Sequence, residues 1–330
     1  MQKIGVLGGG AWGTALAAAA TQAGRNTLLW AREEEVVASV NQVHENNMYL
    51  PGVSLDPALK ATNTLADLAD RDAVLMVAPA QYTRAMAAEL SAHLRDDVPL
   101  IICSKGIEVA TGKLLSDAIS EAAPGHPVCV LSGPTFAAEV ARGLPCAVTL
   151  ACEDETLGAT LVQALGLPTF RPYLSDDIIG AQIGGAIKNV LAIATGVAAG
   201  LGTGENARAA VITRGLAEIV RFGALYGARR ETLMGLSGLG DLILTCSSTQ
   251  SRNMSLGKAV GEGKTLKEIM AERNSVAEGA HTVDIVYQIA QDKGLDMPIT
   301  KAVYRILKQG KSASEVMDDL LARPFTDENQ

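Results

Sequence analysis

The sequence predicts an α/β fold: a doubly wound parallel sheet over residues 1–177, then an all-helical domain over residues 178–330. Three observations predict it. Short apolar runs alternate with helical stretches through the first half of the chain. A glycine-rich turn, Gly8-Gly9-Gly10-Ala11-Trp12-Gly13, joins the first apolar run to the first helix. After Asp177 the strand signal fades and long helical stretches take over.

The elements follow in order. Ile4 to Leu7 (IGVL) is a short apolar strand, Ala11 to Gly24 an alanine-rich helix, and Thr27 to Trp30 a second strand. DAVLMVAP (Asp72 to Pro79), PLIICSKG (Pro99 to Gly106) and PVCVLSGP (Pro127 to Pro134) are continuous apolar runs, as strands covered on both faces require. Helices at Tyr82 to Leu94 and Thr111 to Glu121 separate them. Cys146 to Cys152 and Thr169 to Leu174 read as two further strands around a helix near Asp154 to Leu165. Beyond the boundary the helices are Ile178 to Gly202, Ala207 to Tyr226, Ser255 to Glu262, Leu266 to Glu272, His281 to Lys293 and Ile299 to Lys308. The tail from Arg323 is polar and reads as frayed.

Composition narrows the function classes. With 330 residues, 48% hydrophobic and 19% charged, the chain is globular with ample length for a core. A net charge of −8 argues against nucleic acid or an anionic membrane surface as the main partner. The five cysteines contain no CxxC and the four histidines are isolated, so neither a disulfide framework nor a metal site is expected. That usage suits a reducing cytoplasm. The run from Lys3 to Ala20 imitates a signal peptide, but Gly8, Gly9, Gly10 and Gly13 would break its apolar helix, and a second strand follows as a βαβ unit requires. Ile178 to Gly202 is long enough to span a membrane, yet it is glycine-rich and carries Lys188 and Asn189 at its middle.

The glycine turn fits G-x-G-x-x-G in its proper place, after a strand and opening a helix. Gly8 permits the tight turn, Gly10 lets the backbone approach a pyrophosphate, and Gly13 lets helix and strand pack closely. The free N–H groups of the helix start stabilise the anion. NAD-selective sites place an acid near the end of the second strand. Here that strand ends Leu29-Trp30-Ala31-Arg32, with no acid before Glu33. Arg32 can pair with a 2′-phosphate, which favours NADP(H) while leaving NAD(H) open. The alternative is a solvated arginine that begins a polar helix.

Lys188 is the only charged residue between Asp177 and Glu205. A buried ammonium is costly unless it is paired or deprotonated, and burial lowers a lysine pKa toward the range a general acid/base needs. Ala181, Gly184, Gly185, Lys188, Ala192 and Thr195 share one helix face, and all but the lysine are small, leaving room for a close approach to the backbone. The alternative is a core lysine that snorkels to the surface. Ligands of such sheets bind beyond the carboxyl ends of the strands. Among the polar or glycine-bearing ends at Pro79, Ser104-Lys105-Gly106 and Ser132-Gly133-Pro134-Thr135, Lys105 is the only cation. Gly235 to Asp241 reads as a flexible turn ending in a carboxylate. Ser251-Arg252-Asn253, ahead of a helix, forms a phosphate grip or, in the plainer reading, a helix cap.

These segments together carry a resemblance. GGGAWGTALA (Gly8 to Ala17), SKGIE (Ser104 to Glu108), SGPTFAAE (Ser132 to Glu139), GGAIKNVLAI (Gly184 to Ile193), GLGDLILTC (Gly238 to Cys246), QSRN (Gln250 to Asn253) and VAEG (Val276 to Gly279) resemble, in order, the motifs of the bacterial NAD(P)-dependent glycerol-3-phosphate dehydrogenase family. The resemblance spans nearly the whole chain. It implies a Rossmann-type domain followed by a helical domain like the C-terminal domain of 6-phosphogluconate dehydrogenase, usually as a cytoplasmic homodimer. It implies reversible reduction of dihydroxyacetone phosphate to sn-glycerol 3-phosphate for phospholipid synthesis, with no metal.

Carried over residue by residue, Lys188 is the proton donor and acceptor, with Lys105 and Asp241 beside it in the catalytic set. Lys105, Gly133, Thr135, Lys188, Asp241, Ser251, Arg252 and Asn253 line the substrate site. Gly8, Gly10, Ala11, Trp12, Gly13, Arg32, Tyr49, Lys105, Ala137, Arg252, Val276 and Glu278 contact the nicotinamide cofactor. Two rivals stay open at this point. One is a β-hydroxyacid dehydrogenase or ketopantoate reductase of similar build. The other is a dinucleotide-sensing regulator, which would carry a DNA-binding module or basic patch that this acidic chain lacks.

Overall fold

The computed structural model describes residues 1–271, 277–325 and 327, the Met270 side chain excepted. Eight strands form one sheet: β1 (Lys3–Leu7), β2 (Asn26–Trp30), β3 (Lys60–Thr62), β4 (Ala73–Met76), β5 (Leu100–Ile102), β6 (Val128–Ser132), β7 (Cys146–Ala151) and β8 (Phe170–Ser175). Their order is β3-β2-β1-β4-β5-β6-β7-β8. Strand order reverses between β1 and β4, so the turn after β1 opens at the switch point where such sheets bind ligands.

The alternation of side chains along each strand builds two cores. Ile4, Val6, Leu75, Ile101, Cys129 and Leu131 point to one face, where they meet α1 (Ala11–Gln22), α2 (Glu34–Val43), α5 (Ala137–Ala141) and α6 (Glu155–Leu165). Leu7, Val74, Met76, Leu100, Ile102 and Val130 point to the other, against α3 (Thr83–Ser91), α4 (Leu115–Ala122) and the start of α7 (Ile178–Gly200). Each fully buried aliphatic side chain contributes about 1.5–3 kcal/mol. The alanines of α1 at positions 15 and 17–20 are almost wholly buried, and their small size brings the helix close to the sheet.

One pairing departs from the parallel expectation: β6 and β7 are antiparallel, while β7 and β8 run parallel to each other. Between Ser132 and Cys146 the chain forms only the five-residue α5, too short a helix to carry it across a sheet face. It therefore returns beside β6 in the opposite sense. The three-residue β3 was not evident in the sequence, because KAT has no apolar run to announce it.

The described residues form two compact units. The first comprises Met1–Gly185 and Gly227–Asp241, the second Ala186–Tyr226 and Leu242–Gln330. The second unit takes the rest of α7 with α8 (Gly204–Leu225), most of α10 (Asp241–Ser247), α11 (Arg252–Gly261), α12 (Leu266–Ala271), α13 (Gly279–Asp292), α14 (Pro298–Gln309) and α15 (Ala313–Leu321). The short α9 (Arg230–Leu233) belongs to the first.

Val190, Ile193, Val197, Leu256, Val283 and Val303 form the helical core. Glycines let two backbones touch there. A Cβ on Gly196 would lie 2.1 Å from the Met254 carbonyl oxygen, and one on Gly257 would lie 2.0 Å from that of Ile193. In α7, 83% of the most apolar window is buried inside the protein. This places the apolar run in a protein core, and its glycines serve helix packing.

Candidate active site

The turn after β1 is built as a cradle. Gly8 has φ +132°, and a Cβ there would lie 2.9 Å from the Val77 carbonyl carbon beyond β4. A Cβ on Gly13 would lie 1.8 Å from the Gly8 oxygen, so the start of α1 rests directly on the turn. A Cβ on Gly10 would meet no protein atom within 4 Å. Gly10 is also the residue ahead of α1, with no side chain capping the helix. Open space at Gly10 and uncapped helix N–H groups fit a pyrophosphate. Trp12, in the first turn, has a buried indole Nε1 without a hydrogen-bond partner.

Asn46 is a residue the sequence did not reveal. It is fully buried in the segment between α2 and β3. Its Nδ2 donates to the Gly9 carbonyl (2.8 Å) and to Thr14 Oγ1 (2.8 Å), and its Oδ1 accepts from the Tyr49 N–H (3.1 Å). One amide thus holds both arms of the cradle and the backbone of Tyr49. Its only sequence signal was position in the NNMYLP stretch. At the end of β2, the Arg32 side chain is 82% exposed and donates to Glu33 Oε1 at 2.9 Å. Tyr49 Oη donates to the same oxygen at 3.4 Å. Burial, then the Glu33 carboxylate, raises the Tyr49 phenol pKa.

Lys105 lies on the loop that follows β5, with 16% of its side chain exposed. Its Nζ donates to Asp241 Oδ2 at 2.6 Å and to the Gly133 carbonyl at 3.2 Å. Asp241 is fully buried. A buried ion pair is held by geometry, and loss of either partner strands the other charge. Gly133 has φ +155°, and a Cβ there would meet Val148 Cα at 2.9 Å, so its carbonyl is turned to the amine by a backbone only glycine fits. Thr135 follows, half-buried, with its hydroxyl 3.5 Å from the same carbonyl. Ala137 opens α5, half-buried. A Cβ on Gly185 would lie 3.2 Å from Lys105 Cγ, so that small residue of α7 makes room for the lysine stem.

Asp241 is delivered by an ordered turn where a flexible one was expected. Leu236–Gly240 is a π-helical turn, closed by Gly240 N–H donating to the Gly235 carbonyl at 3.0 Å. Its glycines serve close packing. A Cβ on Gly238 would lie 2.0 Å from the Leu233 oxygen, and one on Gly184 would lie 2.5 Å from that of Ser237. The wider turn leads straight into α10, and Asp241 is its first residue. The buried Ser132 and Ser237 hydroxyls have no hydrogen-bond partner.

In the second unit Lys188 is 5% exposed and donates to Thr245 Oγ1 at 2.8 Å. The lysine is a core residue with its amine inside, so snorkelling does not describe it. Thr245 lies within GLGDLILTC but was not singled out as a site residue, because its pairing appears only once α10 brings its hydroxyl to the amine. Asn189, also 5% exposed, accepts from Asn253 Nδ2 at 3.0 Å, and Asn253 Oδ1 accepts from the Gly279 N–H at 3.0 Å. Asn253 therefore ties α7, α11 and α13 together. Ser251 caps α11 by accepting from the Met254 N–H at 3.2 Å. Its cap role is real, and its hydroxyl hydrogen can still be donated. Arg252, the first residue of α11, is exposed at that helix N-terminus. Glu278 precedes α13 and is half-buried. Val276 lies outside the described residues.

Comparison with known proteins adds to this geometry. Residues 3–158 match the model of the NAD-dependent glycerol-3-phosphate dehydrogenase N-terminus, and residues 177–318 that of the C-terminus. The chain is 55% identical over 327 residues to a glycerol-3-phosphate dehydrogenase (NAD(P)+) of Parvibaculum lavamentivorans, covering 99% of this chain and 98% of that one. It is 53% identical over 327 residues to one of Caulobacter vibrioides, covering 99% of each. The crystal structure of glycerol-3-phosphate dehydrogenase from Coxiella burnetii superimposes with a TM-score of 0.93 at 37% identity, over 98% of this chain and 99% of that one.

Proposed function

Because the chain belongs to the NAD-dependent glycerol-3-phosphate dehydrogenase family, we propose that Lys188 and Lys105 divide the reduction of dihydroxyacetone phosphate to sn-glycerol 3-phosphate between them. The observation that carries this reading is the buried Lys188 amine, held on the Thr245 hydroxyl at 2.8 Å. The reduced nicotinamide, when bound, supplies the hydride to the ketone carbon. Negative charge then grows on the carbonyl oxygen. Lys188 stabilises that charge and gives up a proton to it; in the reverse direction it takes the proton back. Thr245 orients the amine.

Lys105, fixed by Asp241 and the Gly133 carbonyl, supplies a second positive charge toward the substrate. Thr135 offers a hydroxyl beside it. Arg252, Ser251 and the start of α11 offer charge and N–H groups to a phosphate, with Asn253 holding that helix in place. Gly8, Gly10, Ala11, Trp12 and Gly13 would hold the cofactor pyrophosphate, and Arg32 and Tyr49 the adenosine end. Ala137, Val276 and Glu278 would complete the cofactor contacts.

The same reading assigns residues 1–177 to cofactor binding and 178–330 to catalysis. It takes NADP(H) as the favoured cofactor with NAD(H) accepted, a homodimer in solution, a cytoplasmic location and supply of glycerophosphate for phospholipids. The five free cysteines suit that compartment. Steady-state oxidation of NADPH and of NADH with dihydroxyacetone phosphate tests the activity directly. Preference for ketopantoate or a 3-oxo acid in the same assay would overturn it, and a monomeric mass by light scattering would overturn the dimer.

A further inference from the structure

We propose that Arg84 and Glu108, with Gln81, form a positioning device for Lys105: they lock the loop after β5 onto the segment after β4. The proposal rests on the reading of Lys105 as a substrate-binding amine. Lysine has four rotatable bonds, so its amine is placed only if its backbone is placed, and a displacement of about 1 Å near the chemistry can cost on the order of 100-fold in rate. The last sheet hydrogen bond before Lys105 runs from the Cys103 N–H to the Met76 carbonyl at 2.9 Å. The loop then continues to α4, which begins at Leu115.

What holds this loop lies three residues past the lysine. Arg84, on α3, forks onto Glu108, with Nε to Oε1 at 2.8 Å and Nη2 to Oε2 at 3.0 Å. Its remaining Nη1 donates to Glu121 Oε2 on α4 at 2.9 Å. Glu108 is 6% exposed and also accepts from the Thr111 hydroxyl. Gln81 spans the same turn with both ends of its amide, donating to the Ile107 carbonyl at 2.9 Å and accepting from the Val109 N–H at 2.9 Å. The turn closes on itself through Glu108 N–H to the Lys113 carbonyl (3.0 Å) and Gly112 N–H to the Glu108 carbonyl (2.8 Å).

A lone exposed ion pair would not fix a loop. This one is bidentate, its carboxylate is buried, and it is shared with a hydroxyl and a second carboxylate, which makes its geometry single-valued. The Arg84 guanidinium holds the Glu108 carboxyl below the usual glutamate range against the effect of burial, so the clamp persists at neutral pH. Neither residue has a hydrogen bond to Lys105. They act on it through the backbone from 105 to 108.

A double-mutant cycle in the full-length enzyme tests this. Arg84→Met is expected to lower kcat/KM for dihydroxyacetone phosphate about 10- to 100-fold. The loss should fall on the same parameter, kcat or KM, as the loss in Lys105→Met. Arg84→Lys should recover part of it, and Glu108→Gln, which keeps the shape, should give a smaller loss of the same kind. In the Lys105→Met background, adding Arg84→Met or Glu108→Gln should cost nothing further. Additive losses in that background would overturn the positioning role. Should Arg84→Met fail to fold, the Glu108→Gln arm decides by the same criterion. An unchanged kcat/KM in Lys105→Met alone would instead defeat the underlying reading of Lys105.

Discussion

Lys188 and Arg32 are both single cations, and burial separates their roles. Lys188 is enclosed with Thr245 as an acceptor. A methionine there fills similar volume, so Lys188→Met should keep the fold. It should lose kcat by about 100-fold to 10,000-fold, as removal of a general acid does. Cofactor affinity, followed by quenching of tryptophan fluorescence, should stay within about twofold. Turnover at the native rate would defeat the proton-transfer assignment. Arg32 is exposed and shares Glu33 with Tyr49. Arg32→Ala should cost little stability. It should lower kcat/KM for NADPH about 10-fold or more, as loss of a charge-assisted pair predicts, with less change for NADH. Equal losses for both cofactors would remove Arg32 from the specificity reading.

At the scale of the element, the strand-turn-helix from β1 to α1 sets open space and close packing within four residues of each other. A Cβ on Gly10 meets open space, whereas one on Gly13 meets the Gly8 oxygen at 1.8 Å. Gly10→Ala, at φ −70°, keeps an allowed backbone and should change stability by about 1 kcal/mol or less while weakening cofactor binding. Gly13→Ala forces helix and strand apart and should cost stability by about 1–3 kcal/mol, as overpacking does. Chemical denaturation with calorimetric titration of NADPH distinguishes the two. Equal destabilisation by both would mean that the turn has no ligand space. The fingerprint was legible because spacing alone encodes this turn. Asn46 was not, because an isolated asparagine becomes a brace only once α2 and the segment beyond it fold back over Gly9.

Among the described residues of the helical unit one carboxylate is buried, and its role is structural. Glu218 of α8 is fully buried and caps the start of α14, accepting from the Ile299 N–H (2.6 Å), the Thr300 N–H (3.0 Å) and the Thr300 hydroxyl (2.7 Å). Burial raises its pKa to about 7 against these hydrogen bonds, from an ordinary value of 4.5. The folded state therefore binds a proton more readily than the unfolded one between those values. Through this group, stability falls as pH rises from about 4.5 to about 7. Glu218→Gln should be less stable, since its amide N–H₂ meets donors, and its stability should lose that part of the pH dependence. Urea midpoints measured from pH 5 to pH 8 check this, and parallel curves for the two proteins would contradict it.

The sequence by itself determined the alternation of strands and helices, the glycine-rich turn after the first strand and the apolar helix with a lysine at its centre. Each depends on local spacing: a period of two, a period near 3.6, or a fixed glycine interval. The tertiary structure decided the rest. It turned β7 against β6, wound Leu236–Gly240 into a π-helical turn, and filled the small-residue face at Gly184 and Gly185 with protein. It gave Lys188 Thr245, 57 residues away, and Lys105 Asp241, 136 residues away. Partners at such separations have no periodicity to betray them. A buried charge must find its counterpart wherever the fold brings one, and that pairing exists only once the chain has closed.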